Sequence, residues 1–189
     1  MRKVAVFGNG GAGKSTLART LAGLTNLPLY PLDLIQYRPG GAKVPHDEYL
    51  KAHAEILGHD TWIIDGYGCL ATTWERLESA DTLVYLDLPV RTHAWWVTKR
   101  FFTGLFRTPE GWPEGSPMIR STLDSYRVVW LCHKHLTPKY RELVAESRHR
   151  KRVHHLTSPT MIERFLAEVG HETSRGPARM QSMDGKDLR

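Results

Sequence analysis

The sequence predicts an α/β fold in which a five-stranded parallel sheet carries helices on both faces. Two observations support this prediction. Short apolar stretches typical of buried strands alternate with amphipathic stretches typical of helices, and such alternation favours parallel strands joined by right-handed crossovers. Several of the predicted strands end in an acidic side chain, at the edge where open parallel sheets bind their ligands.

The first predicted strand, residues 2–7, leads directly into a glycine-rich loop that fits the pattern G-x-x-x-x-G-K-[ST] in full. Glycines let successive backbone N–H groups approach the phosphates of a nucleotide, and the following helix adds the positive end of its dipole. We expect Lys14 to bridge the β- and γ-phosphates and the Ser15 hydroxyl to bind Mg2+. The predicted nucleotide-binding residues are Gly8, Asn9, Gly10, Gly11, Ala12, Gly13, Lys14, Ser15 and Thr16.

The remaining elements follow in alternation. Helices are predicted over residues 14–24, 46–57, 70–79, 90–106, 118–135, 138–148 and 160–169, and strands over residues 27–33, 61–66, 82–87 and 152–156. Residues 107–117 contain three prolines and two glycines and predict a loop, so we expect a short lid at about residues 100–120. Residues 1–171 then form one domain, and the polar residues 172–189 predict a disordered tail.

Composition is typical of a soluble globular protein, since 41% of the residues are hydrophobic and 24% are charged. The chain has no apolar run near the ~18 residues that a membrane span requires, so we expect no membrane segment and a cytoplasmic location. The cysteines, Cys69 and Cys132, form neither a disulfide framework nor a metal motif. The net charge of +6 suits an anionic small molecule and nucleic acid equally well.

Two acids at predicted strand ends are candidates for the chemistry. Asp65 follows the apolar third strand and is expected to bind Mg2+, directly or through water; the alternative is a helix cap. Asp33 follows the second strand and is expected to orient or deprotonate a phosphate-accepting hydroxyl; the alternative is a cap or a turn residue. Tyr37 and Arg38 lie close enough in sequence to shape the same substrate pocket.

Phosphoryl transfer also requires positive charge near the transferred oxygens, which arginine supplies through paired donors. Positive charge is concentrated between Arg91 and Arg152. Among the arginines of this basic region we select Arg100 and Arg107, because they flank the start of the predicted lid. The histidine pairs in this region match no common metal pattern and indicate a solvated basic surface. Tryptophans interleaved with the arginines, Trp95 and Trp130 among them, could stack bases, but packing is the simpler explanation.

These motifs resemble the adenylate-kinase-related P-loop proteins that are often labelled DNA topology modulation proteins, over about residues 1–170. The resemblance implies the sheet order 2-3-1-4-5, a nucleoside-monophosphate-kinase-like fold, ATP and Mg2+ as cofactors, and lid arginines that clamp phosphates. It also implies that Ser158 borders the adenine. The matching segments are Gly8 to Arg19, Leu32-Asp33 with Tyr37 and Pro39-Gly40, Trp62 to Gly66, Lys99-Arg100 and residues 107–117.

The sequence departs from true adenylate kinases after Asp65-Gly66, because no arginine follows there to grip the phosphate of a nucleotide acceptor. The predicted function is therefore an ATP- and Mg2+-dependent phosphotransferase acting on an anionic or hydroxylated small molecule, as a monomer or homodimer. Two alternatives stay open: a nucleotide-dependent DNA-binding regulatory protein, and an ATPase that needs no acceptor. The charge pattern does not choose between them.

Overall fold

Five parallel strands form a single sheet in the order β2-β3-β1-β4-β5, which confirms the predicted topology. The computed structural model describes residues 1–39, 41–104 and 118–175. The strands are β1 (Lys3–Gly8), β2 (Leu29–Pro31), β3 (Trp62–Asp65), β4 (Thr82–Leu86) and β5 (Arg152–Leu156). The helices are α1 (Lys14–Thr25), α2 (Leu32–Gln36), α3 (His46–Gly58), α4 (Leu70–Ser79), α5 (Val90–Gly104), α6 (Met118–His135), α7 (Thr137–Ser147) and α8 (Pro159–Arg175).

The central strand β1 supplies both hydrophobic cores, because successive side chains of a strand point to opposite faces. Phe7 packs with residues of α3, α4 and α7 on one face, stacking on Tyr85 of β4 at a centroid distance of 5.0 Å. Val4 and Val6 pack with residues of α1 and α8 on the other. Helices cover both faces, which explains why the strands read as continuous apolar runs.

Two elements differ from the prediction. Strand β2 ends at Pro31, and Asp33 lies in the first turn of the unpredicted helix α2, where the neighbouring Leu32 is fully buried in the core. Helix α8 continues to Arg175, six residues past its predicted end at 169. Its buried stripe extends through Val169, and the Thr173 hydroxyl donates to the Val169 carbonyl at 3.0 Å, so the helix does not stop there.

Some sequence predictions fall on residues outside the described ranges, namely the loop 107–117 with Arg107 and the tail beyond residue 175. The side chain of Arg100 is likewise outside, although its backbone belongs to α5. Among the helices of the described residues, none combines the length and apolar character needed to cross a bilayer.

The buried histidine of α3, His53, makes the stability of the fold pH-dependent. It is 1% exposed, and burial, aided by nearby Arg76, lowers its pKa to about 4. Exposed Glu75 lies 3.6 Å from His53 Nδ1, too far for a strong hydrogen bond. As the pH falls below about 6.5, His53 therefore binds a proton in the unfolded chain but stays neutral in the folded chain. This difference lowers the free energy of unfolding by up to about 3 kcal/mol by pH 4.

We therefore expect the His53→Gln variant to have a shallower acid dependence of unfolding free energy than the wild type. The difference should grow from pH 7 to pH 4 and vanish above pH 7, where the histidine is neutral in both states. Urea unfolding of both proteins at several pH values measures it. Parallel stability curves for the two proteins would contradict this account of His53.

Candidate active site

The glycine-rich loop wraps the amino end of α1 in a conformation that glycine alone suits. Gly13 precedes α1 with φ of 79°, and a methyl group at this position would lie 3.0 Å from the Trp96 ring. Gly8 has φ of 144°, and a methyl group there would collide with the Leu86 carbonyl oxygen of β4. The loop is thus pressed against β4 and α5, with no space for side chains on that side.

Lys14 lies where the loop turns into α1, and its ammonium donates to the Asn9 carbonyl at 2.8 Å. Asn9 is 6% exposed and fixes the loop through both ends of its amide. Its Oδ1 accepts from the Gly10 N–H at 2.6 Å, and its Nδ2 donates to the Val129 carbonyl of α6 at 2.9 Å. The hydroxyl-bearing Ser15 and Thr16 follow in the first turn of α1 and are exposed.

The first turns of α5 pack against the phosphate loop. Trp96 packs against Gly13, and His93, 2% exposed, donates from Nε2 to the Leu88 carbonyl at 2.9 Å. Burial, with a smaller contribution from the charge of Lys14, lowers the pKa of His93. The imidazole is therefore neutral at pH 7 and adds no charge beneath the phosphate site.

The two predicted acids meet beside this loop. Asp65 pairs in register with Val6, two residues before the loop begins, and its carboxylate is buried at 4% exposure. Its Oδ1 has no hydrogen-bond partner within the described part of the chain. Asp33 comes to the same edge, because a methyl group built on Gly66 would lie 3.7 Å from Asp33 Oδ1. The predicted convergence is present, although α2 and not a strand delivers Asp33.

The donor set fits a magnesium ion. Mg2+ prefers oxygen ligands and keeps several waters, so one hydroxyl, one carboxylate and the nucleotide phosphates suffice. Ser15 offers the hydroxyl, and Asp65 offers a buried carboxylate oxygen for which the described residues provide no hydrogen-bond partner. The described residues hold no cluster of three or more His, Cys, Asp or Glu side chains suited to a metal ion, so a protein-only metal cage is not built there.

Sequence reasoning missed Arg76, which lies behind the acids. Its side chain is fully buried, and Nη2 donates to the Gly66 carbonyl at 3.0 Å. The other two guanidinium nitrogens, Nε and Nη1, have no partner among the residues that the structure describes. Burial lowers the pKa of Arg76, while Tyr49, Tyr140 and Asp65 oppose that shift. The available signal was an arginine on the buried stripe of α4, between Thr72 and Leu77.

Arg76 fixes the turn on which Asp65 stands, so the Arg76→Met variant should lose about 10-fold in turnover through displacement of that turn. The matched control is Lys151→Met, which removes a partly buried cation that contacts the same helix from outside. Lys151 directly precedes β5, and its ammonium donates to the Leu77 carbonyl at 2.8 Å, at the far end of α4. Steady-state rates and melting temperatures of both variants measure the effect. An equal activity loss in both variants would reduce Arg76 to a stabilising role.

The other predicted residues lie as follows. Tyr37 is half-buried and forms an isolated antiparallel bridge with Lys43. Arg38 is exposed, and its guanidinium pairs with Glu48 of α3 at 3.0 Å. The Ser158 hydroxyl accepts from the Met161 N–H at 3.3 Å and so caps α8, at the carboxyl end of β5. Tyr37 and Arg38 thus directly follow α2. Ser158 follows β5, the edge strand farthest from β2 in the sheet.

A second buried acid, Asp87 after β4, was not singled out from the sequence. It accepts two bonds from Arg141, at 2.8 Å and 3.0 Å, and one from His155 Nε2 at 2.9 Å. Burial alone would raise the pKa of Asp87, but the bonds from Arg141 and His155 lower it overall. The three side chains tie the end of β4 to α7 and β5, which is a structural role.

The sheet order and the phosphate loop define a P-loop protein with the fold of the P-loop kinases. The shikimate kinase from Acinetobacter baumannii, solved in complex with shikimate, is similar at 19% identity, with a TM-score of 0.57 over 89% of this chain and 90% of that one. At this identity the similarity establishes the fold and leaves the activity to be argued from the site.

Two further structures are similar at lower scores. A sugar kinase from Janibacter sp., unliganded, has a TM-score of 0.48 and 19% identity over 92% of this chain and 98% of that one. A gluconokinase from Sinorhizobium meliloti has a TM-score of 0.43 and 17% identity over 95% of this chain and 93% of that one. No protein-family model and no curated protein sequence matches the chain.

Proposed function

We propose that the chain is a small-molecule kinase that transfers the γ-phosphoryl group of ATP to a hydroxyl or phosphate acceptor. The observation that supports this most directly is the meeting of three groups at one edge of the sheet. They are the phosphate loop with Lys14, the buried Asp65, and Asp33 beside Gly66. A nucleotide-binding loop alone would serve many functions, whereas an acid poised opposite it suits an acceptor that must lose a proton.

The roles follow from charge and position. Lys14 and the loop N–H groups hold the triphosphate and stabilise the charge that develops on the transferred oxygens. Bound Mg2+ would neutralise the phosphates, with Ser15 and Asp65 as its protein contacts. With a hydroxyl acceptor, Asp33 takes the proton as the acceptor oxygen bonds to phosphorus and the bond to ADP breaks. Arg100 and Arg107 would close over the phosphates and Ser158 would border the adenine, by resemblance to nucleotide kinases.

The acceptor side supports a hydroxylated molecule over a nucleoside monophosphate. The exposed Arg38, close to Asp33 in sequence, pairs with Glu48, and Arg76 is fully buried behind the Gly66 turn, so neither guanidinium is presented to an acceptor phosphate. Tyr67 and Leu70, which follow Gly66, are exposed large side chains that offer apolar contact. Membership of the DNA topology modulation family is part of the proposal and depends on the motifs alone.

The test is a screen of purified protein with Mg2+-ATP against nucleosides, nucleoside monophosphates, sugar acids and shikimate-like polyols. Release of ADP above the acceptor-free background scores each compound. We expect at least one hydroxylated compound to raise ADP release, and the increase to disappear in the Lys14→Ala and Asp33→Asn variants. Steady ATP turnover that no compound changes would support an ATPase, and no turnover together with ATP binding would support a regulatory role.

A further inference from the structure

Helices α5 and α6 each carry a tryptophan between two cations on their exposed sides. On α5, Arg91, Trp95 and Lys99 are spaced four residues apart and therefore share one face. All three are exposed, and Trp95 is 65% exposed. On α6, the exposed residues Arg127, Trp130 and Lys134 repeat this arrangement, with Trp130 at 56% exposure. We call these six residues the α5/α6 outer face.

Contacts between the helices set the two stripes side by side. The Thr98 hydroxyl hydrogen-bonds to the Tyr126 hydroxyl, while Trp96 and the Val129 carbonyl both contact the phosphate loop. Residue numbers therefore fall along α5 as they rise along α6, so the two helices are antiparallel. The same register sets Trp95 opposite Trp130 and Arg91 opposite Lys134. In each stripe the tryptophan therefore lies between two cations, and the stripe on α5 spans about 12 Å of helix.

The inner side of the same helix pair faces the phosphate loop. Trp96 packs on Gly13, and the Val129 carbonyl accepts from Asn9 Nδ2 at 2.9 Å. Each of these residues is adjacent in sequence to an exposed tryptophan, so the exposed indoles lie on another face of the helices, away from the loop. The outer face is therefore separate from the proposed ATP site, and the proposed kinase reaction makes no use of it.

We propose that the α5/α6 outer face binds single-stranded nucleic acid. Exposed aromatic rings stack on bases, and flanking cations neutralise the phosphates of the same strand. Positive charge predominates on this helix pair, because residues 90–104 contain no Asp or Glu and α6 contains one acid, Asp124. Arginine and lysine flank each tryptophan, and Lys134 Nζ lies 5.2 Å from the centre of the Trp130 ring.

Two other occupants fit less well. A second copy of the chain would set cations against cations across a two-fold axis, which opposes association. An anionic membrane requires a broad apolar face on an interfacial helix. On the described parts of α5 and α6 the exposed large hydrophobic residues are Trp95, Trp130 and Leu131, which form a narrow patch.

The test measures binding of a fluorescein-labelled 20-nucleotide oligodeoxythymidine to the full chain by anisotropy at several salt concentrations. With three or four phosphate contacts, the slope of log K against log salt should be about −2 to −3. The Trp95→Ala/Trp130→Ala double variant should bind at least about 10-fold more weakly with an unchanged slope, because stacking is lost. Its ATP affinity should equal that of the wild type, which shows that the fold is intact.

A charge-reversal pair completes the design. The Arg91→Glu/Lys134→Glu variant should lose binding and flatten the salt slope. The control, Arg148→Glu/Arg150→Glu, makes the same change in net charge at exposed positions that follow α7 and should stay within about 2-fold of the wild type. Equal losses in the two variants, or no binding by the wild type, would overturn the proposal. Tryptophan-dependent binding to vesicles containing anionic phospholipid, without binding to the oligonucleotide, would overturn it in favour of a membrane.

Discussion

Replacing Lys14 by Met is expected to lower the rate of phosphoryl transfer about 10³-fold, at the upper end of what removal of one preorganised electrostatic contact costs. The ammonium lies 2.8 Å from the Asn9 carbonyl, and methionine keeps most of the length of the side chain without its charge. A rate assay of ADP formation with the responsive acceptor measures the effect. The loss should appear chiefly in kcat, because the charge of the γ-phosphate oxygens changes most in the transition state.

The matched control is Lys139→Met, which removes an exposed lysine on α7. This variant should keep activity within about 2-fold of the wild type, since exposed charges far from a site contribute little. Melting curves of both variants establish that each is folded. Full activity in Lys14→Met, or an equal loss in Lys139→Met, would remove the phosphate loop from the mechanism.

The Asp33→Asn variant is expected to lose about 10² to 10⁴ in turnover, the range for removal of a general base. Asparagine keeps the shape of the side chain next to Gly66 but cannot accept the proton of a hydroxyl acceptor. The affinity for ATP should change less than about 2-fold, because the role proposed for Asp33 is toward the acceptor and not toward the nucleotide. Steady-state kinetics and a calorimetric ATP titration separate the two quantities.

Asp60→Asn is the control for this substitution, because Asp60 is an exposed acid in the turn before β3, at the opposite edge of the sheet. Its activity should match that of the wild type. If Asp33→Asn weakened ATP binding and left turnover per bound nucleotide unchanged, Asp33 would belong to the nucleotide site and not to the acceptor site.

Local pattern was sufficient to predict the phosphate loop and most of the elements. The loop is a contiguous motif whose glycines, Gly8 and Gly13 among them, have the backbone conformations that the motif requires. The position of Asp65 follows from the rule that the carboxyl ends of parallel strands lie at one edge of the sheet, where ligands bind. Asp33 reached the same edge by a different route, since the sequence gives little sign of the short helix α2.

Contacts between distant segments could not be predicted. Arg76 binds a carbonyl 10 residues away, and Arg141 binds Asp87 54 residues away, and neither pairing has a periodic signal in the sequence. The neighbouring tryptophans of α5 have different environments for a related reason. Neighbouring positions on a helix point about 100° apart, so Trp96 packs against the phosphate loop while Trp95 faces solvent, contrary to the prediction of packing. Trp130 is also exposed, contrary to the prediction of packing.

The central claim is that phosphate moves from ATP to an acceptor, and phosphorus-31 NMR of a reaction with Mg2+-ATP and the most responsive acceptor tests it directly. We predict a new phosphomonoester or phosphoanhydride resonance that grows as the γ-phosphate resonance declines, with little free inorganic phosphate. The Lys14→Met variant should show neither change. Formation of ADP and inorganic phosphate alone would show that water is the acceptor and would contradict the assignment of the chain as a kinase.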